Sequence, residues 1–306
     1  MSLRRSMPAA VGSVPVVAEL VVVVCLLLGL HLWRRAVTAL QPTLVAAVPE
    51  GTAAPVGSLL IGGVLLAGVV AFAAVYATLR GIEVGVRPSA DRRTLGLALA
   101  VPPALVAVTK LVGVLTGVPY NALTMSAYGA DAPVAAVLSF LGPGLLVGAL
   151  SLTVVCQVLV QGTFARVVER GRAALLTTVL AAVVLTSSTG GLTAFPDRGK
   201  LAVAVGFVLA LALALYAVDE VDREWVQYLA YLPVSAVVAL VIVSWVAATG
   251  SVAELLFGAT HVAVLALAAA GYARTDSLVV PAVAYLSLLL SEETVVLLFE
   301  AGMRSW

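Results

Sequence analysis

Two glutamines, Gln157 and Gln161, stand four residues apart near the end of an apolar run, Val155-Cys156-Gln157-Val158-Leu159-Val160-Gln161-Gly162. At about 100° per residue that spacing puts both amides on one face of a helix. An amide donates and accepts hydrogen bonds but takes no proton at physiological pH. The chemistry open to the pair is therefore bonding to another helix or lining a polar site, and general-base catalysis is closed to it.

Histidine is scarce: the chain has His31 and His261. Glu254 lies seven residues before His261, on the same helical face, and Glu292 and Glu293 sit on the apolar run that follows. One imidazole with two carboxylates, His261, Glu254 and Glu292, would make a three-ligand site for zinc or another divalent metal. Against that stands the ordinary role of a lone histidine in a bundle, a hydrogen bond to a neighbouring backbone or hydroxyl group. Lys110 also falls within an apolar run, where insertion of a charge costs roughly 2.5 to 3.5 kcal/mol. It is a functional candidate unless it snorkels to an interface or pairs with Glu19. Thr186, Ser187, Ser188 and Thr189 either satisfy backbone at a helix end or line a cavity with Gln157. Cys25 and Cys156 read as small buried apolar residues, not as a disulfide or a metal knuckle.

The elements that must position these groups are apolar throughout. With 62% apolar residues, 11% charged and a mean hydropathy of +1.13, the chain has too little polar surface to cover a water-facing exterior. It reads as all-α: one integral membrane domain over 1–306, a polytopic transmembrane helical bundle. A net charge of +1 and the lack of any basic run beyond arginine pairs exclude a nucleic-acid partner. The expected partners are the lipid bilayer and another membrane protein or a peptide.

Nine apolar segments follow in order: Val14 to Trp33, Gly57 to Leu79, Thr94 to Gly117, Pro133 to Gln161, Ala173 to Ser188, Leu201 to Val218, Trp225 to Ala248, Val252 to Ala273 and Leu278 to Phe299. The fourth is long for one span, and Gly142-Pro143-Gly144 predicts a break or bend in it, so the count is eight or nine spans. The first reads as an uncleaved span. With the N-terminus in the cytoplasm, the inner loops carry 11 Lys and Arg and the outer ones 5. The positive-inside rule therefore predicts a cytoplasmic N-terminus in a multi-pass protein of the cell membrane.

The run from Leu145 to Arg170 and its surroundings resemble the CPBP family, which groups CAAX-processing and bacteriocin-related intramembrane proteases. The resemblance rests on the polar loop Asn121 to Asp131, Gly142-Pro143-Gly144, Gly162 and the exit Phe164-Ala165-Arg166-Val167-Val168-Glu169-Arg170. It extends to the turn Gly271 to Leu278 and to Pro281-Ala282-Val283-Ala284-Tyr285, and covers about residues 80 to 290. It implies a bundle in which paired glutamates, an arginine and downstream histidines surround a water that attacks a peptide bond. Here the glutamate pair matches Cys156 and Gln157, and the arginine matches Gln161. The second motif, Phe and His four residues on, matches Leu185 and Thr189. In another register it matches Phe257 and His261. The final helix carries Tyr285 and Leu289 at its motif positions.

The base and its partners are thus replaced. The resemblance implies a relative that has lost proteolysis and acts in binding, scaffolding or regulation, with no cofactor. Two alternatives stand beside it. One is an active endopeptidase around His261, with zinc or another divalent metal. The other is a small transporter or channel lined by Lys110, Gln157, Gln161 and Tyr285.

Overall fold

A computed structural model describes residues 13–46, 53–82, 84–86, 91–129, 134–186, 190–220, 225 and 229–302. The described residues are helical, with a single isolated bridge between Thr186 and Leu192. In chain order the helices are α1 (Ser13–Ala46), α2 (Ala53–Arg80), α3 (Arg92–Thr116), the short α4 (Tyr120–Thr124) and α5 (Val134–Thr153). From α5 the chain passes directly into a π-helical segment, Val154–Gln161, and a last turn, Gly162–Phe164. There follow α6 (Arg170–Leu185), α7 (Arg198–Glu220), α8 (Leu232–Ala248), α9 (Val252–Thr275) and α10 (Val279–Phe299).

Seven of these helices are long and apolar enough to cross a membrane: α1, α2, α3, α5 with its π-helical continuation, α7, α9 and α10. The segments expected as the fifth and seventh spans form α6, of 16 residues, and α8, of 17. At 1.5 Å per residue α6 is about 24 Å long, short of a hydrocarbon core of about 30 Å. Its ends nevertheless reach opposite ends of the bundle. Arg170 pairs with Asp276 in the α9–α10 turn at 2.5 Å, whereas the loop after α6 bonds through Gly190 N to Leu123 O in α4 at 2.8 Å.

Two expectations about individual elements change. The helix runs through Gly142-Pro143-Gly144 as α5 without interruption, and the irregularity falls about three turns later, at Val154–Gln161. There Gly162 N bonds to Gln157 O, the i to i+5 spacing that marks π geometry. Lys110 pairs with Glu300, not with Glu19, which instead holds Arg80 and Arg166.

α9 sits at the centre, against α3, α6 and α10. Its buried Ala268, Ala269 and Gly271 explain why, since small residues let helix backbones approach where no hydrophobic drive separates protein from lipid. A Cβ at Gly271 would fall 2.6 Å from Val280 of α10.

Candidate functional site

The π-helical segment presents Cys156, Gln157 and Gln161 to α9 and α10, and all three are buried. Gln157 Nε2 donates to the hydroxyl of Tyr285 on α10 at 3.3 Å. Gln161 Nε2 donates to Ala269 O on α9 at 3.0 Å. The two amides share one side of the helix, as their spacing predicts, yet each bonds a different neighbour. Only the amide nitrogen can donate to a carbonyl, so the orientation of Gln161 follows from chemistry. Its Oε1, like that of Gln157, is buried without a hydrogen-bond partner.

His261 belongs to another level. On α9 it is eight residues from Ala269, about 12 Å along the axis, and on α10 Glu292 is seven residues from Tyr285, about 10 Å. His261 Nδ1 lies 2.7 Å from Phe257 O, which can only accept, so Nδ1 carries a proton. Nε2 stands 3.0 Å from Glu292 Oε1. The approach is off-axis, and neither atom has a well-directed hydrogen bond despite the short separation. The Phe257 ring meets the His261 ring edge-on at 4.4 Å and that of Tyr120 at 5.8 Å, forming an aromatic wall. Gly191, at φ +78°, closes the site from the loop after α6. A Cβ there would lie 3.1 Å from His261 Nε2.

The proposed metal set does not assemble. His261 and Glu292 meet, but the carboxylate of Glu254 accepts from Gly250 N at 2.8 Å while Glu254 N donates to Ser251 Oγ at 3.1 Å. Together these bonds make a variant of the capping box at the start of α9, with the carboxylate on the amide before the N-cap, and the sequence carries its pattern as Ser-x-x-Glu. Among the described residues no group of three or more His, Cys, Asp or Glu side chains could hold a metal ion. Glu293 instead accepts from Ser126 Oγ at 3.2 Å and from the Tyr128 hydroxyl. His31 has the ordinary role of a bundle histidine, its Nδ1 2.8 Å from Pro196 O.

The groups suggested as a transport path are likewise tied to separate partners. Lys110 is bound to Glu300, Gln157 and Tyr285 to each other, and Gln161 to the α9 backbone. Leu289, at the other final-helix position, is only partly buried and packs against the core. Thr189 lies outside the described residues, as do Ser187 and Ser188. Thr186 closes back on its own helix through Ala182 O.

Sequence reasoning passed over Tyr120, Gly191 and Glu300. Glu300 accepts from the backbone of Tyr120 at 2.8 Å and of Asn121 at 2.5 Å, as well as from Lys110. The signal available was a carboxylate closing the last apolar run in a chain with one lysine, Lys110, inside an expected apolar segment. For Gly191 it was the Gly190-Gly191 pair, both of which adopt positive φ.

No protein-family model matches the chain, and comparisons with curated proteins and with solved structures find no significant relative.

Proposed function

We propose that this integral membrane protein is a relative of the CPBP intramembrane proteases that no longer cleaves peptides and serves in binding, scaffolding or regulation. The supporting observation is the bond from Gln157 to Tyr285. These residues stand at positions matched to the family's base and to its final-helix histidine. In this chain both are fully buried, and the Gln157 amide nitrogen donates to the Tyr285 hydroxyl. An amide and a phenol offer no proton acceptor near neutral pH, so neither can serve as the general base.

The test is cleavage of a panel of quenched fluorogenic peptides by the purified full chain in proteoliposomes. The unmodified protein is expected to be inert. Cleavage is expected to require Cys156→Glu, Gln157→Glu, Gln161→Arg and Thr189→His together. Turnover by the unmodified chain would sink the reading.

The 3.0 Å approach of His261 to Glu292 favours a second reading, an endopeptidase whose carboxylate and imidazole activate water directly. It requires any demonstrated turnover to vanish in both His261→Ala and Glu292→Gln. In the proposed orientation the N-terminus is cytoplasmic, because Arg80, Arg166 and Arg170 gather at the bundle end opposite Lys110 and Glu300. Modification of single cysteines placed at each end, from either side of sealed vesicles, tests it.

A further inference from the structure

At the arginine-rich end, the close of the π-helical segment, the turn after α2 and the α9–α10 turn enclose a pocket of about 520 Å³. Gln161, Arg166, Arg170, Tyr272 and Asp276 line it with backbone from Gly81 and Gly85. We infer that this pocket binds a phosphate ester that carries its own hydrogen-bond donor, with Arg166 and Arg170 on the phosphate and Gln161 Oε1 on the donor.

The acceptor comes first. Gln161 is 2% exposed, and its nitrogen is committed to Ala269 O, so its carbonyl oxygen stands buried and unpartnered in a side chain that lines the pocket. Leaving such an acceptor unmet costs about 1 to 3 kcal/mol, which a donor entering the pocket would recover. Neither Arg166 nor Arg170 donates to it. Arg166 is occupied through Nε with Glu19 at 3.2 Å and through Nη1 with the carbonyl of Arg80.

The anion follows from the remaining guanidinium edges. Each guanidinium has five N–H donors in a planar fork suited to phosphate, and the contacts of Arg166 and Arg170 use only some of them. The Arg170–Asp276 pair is about two-thirds exposed on both sides, with side-chain exposures of 65% and 62%, so water screens it and a ligand can displace Asp276 at small cost. Among the described residues, Arg80 and Arg166 pair with Glu19, and Arg170 pairs with Asp276.

The walls are preformed. A Cβ at Gly85 would fall 1.9 Å from Asp276 O, and Leu278 N donates to Gly85 O at 2.8 Å, so the turn after α2 is clamped to the α9–α10 turn. A site held in this way loses little freedom on binding. The same chemistry is offered by a phospholipid headgroup with an ammonium and by a soluble phosphate ester. The inference stands apart from proteolysis, because its readout is binding and not cleavage.

The experiment uses the full chain purified in a maltoside detergent and titrated with phosphatidylethanolamine, which has phosphate and donor, and with phosphatidylcholine, which has phosphate and no donor. Binding is read by native mass spectrometry. The ethanolamine lipid is expected to bind about tenfold more tightly, as one recovered hydrogen bond to a charged donor implies. Gln161→Leu should erase that ratio, and Arg166→Gln and Arg170→Gln should weaken both lipids. Soluble phosphoethanolamine that competes identifies a soluble ester as the ligand, and failure to compete identifies the lipid. Equal binding of the two lipids by the unmodified chain overturns the inference. So does indifference to Arg166→Gln and Arg170→Gln, which sit on the rim and keep the test open if Gln161→Leu does not fold.

Discussion

His261 Nε2 and Glu292 Oε1 face each other at 3.0 Å between α9 and α10, and Tyr120 stands beside them within the same buried site. Because Nδ1 donates to Phe257 O, it is the Nε2 edge that faces the carboxylate. Removing one member strands the other in an apolar interior, at a cost of about 3 to 5 kcal/mol. His261→Leu and Glu292→Leu are each expected to lower the unfolding temperature strongly in detergent, and the double substitution to recover most of the loss. Additive losses in the double variant would show that the two residues do not act as a pair.

Glu300 carries a comparable load at the end of α10. It is 2% exposed and accepts from Lys110 and from the amides of Tyr120 and Asn121. Glu300→Ala is expected to destabilise by about 3 to 5 kcal/mol, since it leaves a half-buried ammonium and two buried amides without an acceptor. Hydrogen exchange at Tyr120 and Asn121 should accelerate selectively. Unchanged exchange there would mean that α4 is held by packing alone.

The Gln157–Tyr285 bond is expected to be weak. Polar pairs inside membrane bundles are coupled by about 0.6 kcal/mol on average, and both partners here can be made apolar without a large change in shape. Gln157→Leu and Tyr285→Phe should each change stability by about 1 kcal/mol or less, and the double variant should be near neutral. A coupling above about 2 kcal/mol in the double-mutant cycle would contradict this account.

Gly85 admits no side chain, because the atom it would meet 1.9 Å away is backbone and cannot rotate aside. Gly85→Ala is expected to cost more than 1 kcal/mol, the lower range for overpacking, and to separate the turn after α2 from the α9–α10 turn. Gly63→Ala, which meets nothing within 4 Å, serves as the control and should be tolerated. Equal stability of the two variants would refute the clamp.

Acid should loosen the start of α3. The Thr94 hydroxyl donates to the Asp91 carboxylate at 2.5 Å, and the amides of Thr94 and Arg93 add bonds at 3.2 and 3.1 Å. These contacts, the Thr94 hydroxyl first, hold the Asp91 carboxyl below its ordinary range. A folded value below the unfolded one means that the contribution is complete above about pH 4 and is lost as pH falls through the folded value. The difference in unfolding temperature between the native chain and Asp91→Asn should therefore shrink on acidification. A difference that stays constant down to pH 2 would exclude the cap as its source.

Much of the frame was legible without coordinates. The apolar runs that became α2, α3, α9 and α10 differ from their expected limits by a few residues, because a stretch of about 20 apolar residues leaves the backbone no way to satisfy itself in lipid except as helix. The Ser251–Glu254 capping box was legible too, and reading it would have removed Glu254 from the metal set. At Gly142-Pro143-Gly144, where a break or bend is expected, the helix is continuous, and the π-helical segment at Val154–Gln161 had no local signal. Its residues are ordinary helix formers and β-branched residues, so the widened turn is not written in their propensities.

The amino-acid sequence by itself determined the class of the protein and the residues able to do chemistry, since composition and helical period depend only on chain-local properties. Pairing was decided in three dimensions. Lys110 joined Glu300, Glu19 joined Arg80 and Arg166, and His261 joined Glu292 about two helical turns from Gln161 and Tyr285. The physical reason is that helices in a bundle can slide and rotate past one another with little change in their own hydrogen bonding. Which polar groups meet is then set by where small residues such as Ala268, Ala269 and Gly271 allow backbones to close, and that registry belongs to the assembled structure.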